Sequence, residues 1–121
     1  MHTQAFNVMI RNGAFRWVQL FARADYPGLA GCAHGNLSDP ESVEEAAAAY
    51  WDEFDQVSTD ADARSSRWVT IDSPGDNQFL VEQIVCDPEG FNEWRLKGFV
   101  DLLESREAGE AVMKLSEITR L

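Results

Sequence analysis

Along residues 3–25, apolar side chains recur at three- and four-residue intervals: Phe6, Ile10, Ala14, Trp17, Val18 and Phe21. That period predicts an α-helix. Val8, Phe15 and Ala22 add a second apolar patch, so polar side chains keep only a narrow stripe of Asn12, Arg16, Gln19 and Arg23. A helix apolar around most of its circumference is one that other elements wrap. Gly13 inside it costs about 1 kcal/mol in propensity, which marks a place of close packing. Tyr26-Pro27-Gly28 is expected to end the helix, and residues 28–38 read as a glycine-rich loop holding His34.

Ser38-Asp39-Pro40-Glu41 is a helix start. It supplies N-cap candidates, proline at the first helical position and an acid to meet the dipole. The second helix is expected over 39–57. Val43, Ala47, Tyr50 and Phe54 form its apolar stripe, widened by Ala46 and Trp51, with Glu44, Glu45, Asp52 and Asp55 opposite. Beyond the turn-rich residues 58–66, the period drops to about two. Strands are expected over 67–73, 78–86, 93–105 and 111–121, with turns at 74–77, 87–90 and 107–110. Trp94, Leu96, Gly98, Val100 and Leu102 share one face of the third strand; Arg95, Lys97 and Asp101 lie on the other, with Phe99 among them. Gly98 in the middle of that strand predicts a bend or bulge.

Two helices followed by a four-strand antiparallel meander make an α+β fold, a curved sheet wrapping the first helix. This order, with the buried first helix, resembles the cone-shaped rolls of the nuclear transport factor two-like group, a fold-level analogy.

The 121 residues suit one domain, 1–121, and 45% apolar content with four Trp and seven Phe suits a packed core. No apolar run reaches the roughly 20 residues that span a membrane, and the first residues lack the pattern of a signal peptide. The expectation is a cytoplasmic protein with no membrane partner. Cys32 and Cys86 have no Cys or His at metal-ligand spacing, and a structural disulfide is not expected in a reducing compartment.

The net charge of −11 is unevenly spread. Nine acids and no Lys or Arg fall between Asp39 and Asp62, leaving twelve acids against ten bases elsewhere. Direct nucleic-acid binding by this chain is not expected, because neutralising phosphates takes clustered Lys and Arg; Arg11, Arg16 and Arg23 are the only support for it. The acidic run reads either as a solvated helix face or as a docking surface for a basic partner.

The chain has no phosphate-binding glycine loop, no dinucleotide fingerprint, no H-E-x-x-H, no paired C-x-x-C and no G-x-S-x-G elbow. A Ser-His-Asp arrangement would need His2 or His34, and neither falls on a predicted rigid element. No catalytic, cofactor-binding or metal-binding residue is assigned, and no cofactor is expected. A roll of this shape can hold a pocket between helices and sheet. Gln83, Trp94 and Asp101 could point into it, with Tyr50, Trp51 and Trp68 near its rim. A buried Asp101 could serve as a general acid or base. Strand alternation instead places Asp101 opposite Trp94, pairing with Lys97 or Arg95.

The segments MIRNGAFRWVQL (9–20), YWDEFDQVSTDADAR (50–64), VEQIVCDPEGFNEWRLKGFVDL (81–102) and REAGEAVMKL (106–115) carry a further resemblance. Taken in order, they resemble the C-terminal region of a domain of unknown function attached to actinobacterial superfamily II (DEAD/DEAH-type) helicases. The resemblance covers nearly the whole chain. It implies a helicase-associated accessory module without the ATPase motor. That family tends to place Asp-His where this chain has Phe91-Asn92, so the resemblance carries over no histidine role at this position. The leading expectation is a non-catalytic domain making protein contacts or a homodimer, with Arg95, Lys97 and Phe99 in the interface. The alternative is a small-molecule binder or an isomerase- or dehydratase-like roll using the cavity.

Overall fold

The computed structural model describes residues 3–75 and 78–121. His2 and the Asp76-Asn77 part of the expected turn lie outside them. The element order is α1 (Thr3–Ala22), α2 (Tyr26–Gly31), α3 (Pro40–Glu53), β1 (Val69–Gly75), β2 (Gln78–Val85), β3 (Trp94–Val100), α4 (Leu102–Ala108) and β4 (Met113–Arg120). The four strands form one antiparallel sheet in the order β1-β2-β3-β4. The fold is α+β, a curved open sheet with α1 lying against all four strands.

The apolar pattern of α1 explains its position. Ile10, Ala14 and Phe21 are fully buried, as are Trp17 and Val18 to within a few percent, while Asn12, Arg16 and Arg23 stay exposed. Each large apolar side chain taken out of water in this way stabilises the fold by roughly 1.5–3 kcal/mol. The sheet meets α1 with alternate residues. Val81, Gln83 and Val85 of β2 and Trp94, Leu96, Gly98 and Val100 of β3 face the helix, and their neighbours face away. Val43, Ala47, Tyr50 and Phe54 close the same core from α3.

Boundaries differ from the sequence reading for local reasons; the first strand runs Val69–Gly75, not 67–73, because a tight turn capped by Ser65 occupies Ser66–Trp68. The first helix stops at Ala22, not at 25. Ala24 takes φ 52°, and the Asp25 carboxylate then accepts from Gly28 N at 2.9 Å, starting α2 where a loop is expected. The second predicted helix ends at Glu53, and Phe54 is already extended at φ −126°, ψ 153°. The expected third strand, 93–105, is a strand only to Val100. Asp101 caps α4 by accepting from Glu104 N at 3.0 Å, and Gly109 closes that helix in the left-handed region at φ 72°. Asp-x-x-Glu followed by Gly is a helix start-and-stop signal, and here it overrides the apolar alternation of Val100 and Leu102.

Candidate functional site

The side of the sheet away from α1 is approached by α4 only at the β4 margin, where Glu104 pairs with Lys114 at 3.3 Å. Directly opposed residues set Thr70, Glu82, Lys97 and Glu117 in one row across the four strands, and Asp72, Leu80, Phe99 and Lys114 in the next. Ser116 has no partner in β3 because the register shifts between Lys97 and Gly98. This β-bulge turns the surface of β4. Between the rows lies a cleft of about 400 Å³ that reaches Leu80, Lys97, Gly98 and Phe99.

Its charges are not equivalent. Arg95 is committed within the fold: its Nε lies 3.0 Å from a Glu82 carboxylate oxygen, and its Nη1 donates to Asn92 O at 2.5 Å. Lys97 stands between Glu82 and Glu117 and has no ion pair among the described residues. Phe99 is half-buried and meets His34 edge-on, the ring centroids 5.3 Å apart. His34 is set there by its own N–H, which donates to Leu115 O at 2.7 Å and stitches residues 32–34 along the free edge of β4. Arg95, Lys97 and Phe99 therefore do share one face, with Lys97 and Phe99 its available members.

The residues proposed to line an inner pocket separate into three groups. Tyr50 is fully buried and touches the rings of Phe21, Trp51, Phe54 and Trp94, while its hydroxyl donates to Gln56 O at 2.7 Å. Gln83, 2% exposed, donates from Nε2 to Trp68 O and Ile84 O. Asp101 stands at the far end of β3 from Trp94, about 23 Å away for seven extended residues, and is occupied in capping α4. Tyr50, Trp51 and Trp94 thus form one aromatic cluster, Gln83 joins Trp68, and Asp101 belongs to neither.

The acids of the 87–93 corner also resolve into roles. Asp87 is 5% exposed and its carboxylate accepts from the N–H groups of Glu89 (2.9 Å), Phe91 (3.1 Å) and Asn92 (2.7 Å). Glu93 pairs at 3.4 Å with Arg120. Glu89 faces solvent beside the end of α3. Sequence reading gives Asp87 only the part of a turn former. The signal for more is an Asp opening Asp-Pro-x-Gly, a side chain placed to gather the N–H groups that follow it.

Neither thiol is activated. Both cysteines are free. Burial raises Cys32, which also donates from Sγ to Leu29 O at 3.3 Å, and burial pushes Cys86 up to about 11. A thiol that ionises less readily in the folded chain favours folding below its unfolded pKa, near 9, and loses that contribution as pH climbs toward the folded value. Native protein at pH 8 is expected to react with a thiol reagent at less than about one-tenth the rate of protein in denaturant. Rapid labelling of either cysteine in the native state would contradict this.

Among the described residues, no helix is long and apolar enough to cross a membrane, and no group of three or more His, Cys, Asp or Glu is placed to hold a metal ion. Comparison with curated proteins and with solved structures finds no match. Residues 1–118 match the profile of one family, described as a domain of unknown function. With all but the last three residues matched, the chain belongs to that family, the domain of unknown function DUF3516.

Proposed function

We propose that the chain is a non-catalytic, cytoplasmic accessory module that works through protein contact, self-association foremost, across the face of its sheet away from α1. The observation that carries this reading is the composition of that face. Phe99 and a 40%-exposed Leu80 lie in register beside Lys97, around an open cleft. An apolar centre with charges at its margin suits an interface that another protein covers. Glu117, in no ion pair among the described residues, lets a second copy meet Lys97. The resemblance to the region attached to actinobacterial superfamily II helicases supports an accessory role in a larger assembly, and the likeness to nuclear transport factor two-like rolls suits a scaffold that presents a sheet face.

The reading of the fold as a ligand-binding or isomerase- or dehydratase-like roll finds less support. It relies on Tyr50, Trp94 and Asp101 converging on a cavity, yet the first two pack on each other and the third caps α4. Light scattering after size exclusion is expected to give about twice the chain mass for the wild type at tens of micromolar. Lys97→Glu combined with Phe99→Ser is expected to weaken the dimer at least tenfold and leave a monomer. A wild type that stays monomeric at that concentration refutes self-association.

A further inference from the structure

A second surface lies at the other end of the core, where the last turn of α3 faces the 87–91 corner. Between them is a groove of about 350 Å³. Trp51, Phe54 and Pro88 supply its apolar side. Phe91 extends it: its ring lies 6.2 Å from that of Phe54, yet it is 58% exposed, the one aromatic among the exposed large apolar side chains of the described residues. Phe91 thus sets an exposed aromatic beside a groove whose lining is mainly polar.

The rim is wholly acidic. Asp52, Glu53, Asp55 and Glu89 line it. None of the four takes part in the ion pairs of the described residues, and no Lys or Arg occurs between Arg23 and Arg64. Three of them also crowd the C-terminal end of a 14-residue helix with no basic residue in its last turn. That end of a helix carries partial negative charge and favours a cation. Native charge is therefore arranged against the helix, and the described residues supply no cation there. Trp51 forms part of the groove wall, its ring stacked on that of Phe21.

The nature of the missing cation follows from the same geometry. The rim carboxylates are not gathered in a metal-binding group, so a divalent ion is not what they fit. A nucleic acid or an acidic peptide is repelled. Lysine and arginine side chains satisfy every part of the groove: charge for the carboxylates, N–H donors for the last carbonyls of α3, and an aliphatic stem with a cationic head for the faces of Phe91 and Trp51.

We propose that this groove docks a lysine- and arginine-bearing segment of a partner protein. It rests on the reading of the chain as a protein-contact module, but uses a face separate from the sheet. The test titrates the full chain into a fluorescein-labelled oligo-arginine peptide at about 150 mM salt, where exposed charges more than about 8 Å apart are screened, and an oligo-glutamate peptide serves as control. Micromolar binding of the arginine peptide alone is expected. Phe91→Ser, and separately Asp52→Asn with Asp55→Asn, should each weaken it about tenfold. Glu107→Gln with Glu110→Gln removes equal charge from the opposite end of β3 and should change it less than about twofold. Amide shifts on titration should centre on 51–55 and 88–91. Absence of binding, equal weakening by the remote pair, or shifts centred on Lys97 and Phe99 would each overturn the proposal. Loss of dimerisation with peptide binding intact would instead overturn self-association and leave the groove standing.

Discussion

Replacing Asp87 by alanine is expected to cost about 3–5 kcal/mol and to lower the unfolding midpoint by more than about 10 °C. The carboxylate is 5% exposed and accepts three backbone hydrogen bonds, from Glu89, Phe91 and Asn92. Alanine deletes all three acceptors at once and leaves the N–H groups facing a gap. An unpaired buried N–H costs about 1–3 kcal/mol, and the turn can relax to wet some of them, so the total falls below three full penalties. The loop has little freedom to compensate. Asn92 sits at φ 54°, a left-handed conformation uncommon outside glycine. Asp87→Asn keeps one acceptor oxygen in the same shape and is expected to lose about half as much. Urea unfolding followed by tryptophan fluorescence measures both, because Trp94 begins the strand that this turn delivers. A loss below about 1 kcal/mol for Asp87→Ala would mean that the corner is held by its backbone alone.

The same turn also shapes the proposed docking groove. Phe91 is exposed because Asp87 fixes the N–H of Phe91 and of its neighbour, leaving the ring to rest an edge on Phe54. A phenylalanine in this place gains little from its own burial. Its position is a by-product of a turn built for other reasons, which is how a rigid corner can present an aromatic at low entropic cost.

Legibility of the fold tracks the strength of the periodic signal. The apolar circumference of α1 implies a helix lying inside a curved sheet, because burying so many apolar side chains leaves no other arrangement. The stripe of Val43, Ala47, Tyr50 and Phe54 on α3 is buried as its spacing requires. Short helices are illegible for the opposite reason. α2 has six residues and α4 seven, too few for a period to show, and both are specified by a capping aspartate and one special backbone position. In each case the cap lies inside a sequence that also reads as something else: a helix stop at Tyr26-Pro27-Gly28, a strand continuation at Val100 to Leu102. The candidate surface is legible through strand alternation, which puts Arg95, Lys97 and Phe99 on one side. The division of labour among them is not, since the engagement of Arg95 by Glu82 and Asn92 depends on cross-strand register and a turn geometry that no local pattern encodes. The groove beside Phe91 joins two segments far apart in the chain and becomes visible only once α3 and the corner are brought together.

Gly98→Ala is expected to destabilise the chain by about 2–4 kcal/mol, although a methyl group is the smallest side chain that can be added. Gly98 faces α1 from the middle of β3, where Trp17 packs across the sheet. A Cβ built there would meet the Trp17 ring at Cη2, 2.6 Å away, and would press still harder on the carbonyl oxygen of Lys114. The ring could turn aside only by displacing the core around it, in which Trp17 is 2% exposed. The carbonyl belongs to the backbone of β4 at the shift of register and cannot swing away without undoing the pairing of Gly98 with Leu115. The bulge and the glycine are therefore one device: the extra residue bends β4 inward over β3, and the missing side chain makes room for the strand and the indole together. A control isolates this cause. Gly31 ends α2, and a methyl group added there would meet nothing within 4 Å, so Gly31→Ala is expected to be neutral or to stabilise by up to about 1 kcal/mol. Unfolding free energies from denaturant curves of the two variants should differ by about 2–5 kcal/mol. If they coincide, the sheet is able to move off α1 at Gly98, and the close approach of Trp17 is not what holds the helix in the curve of the sheet.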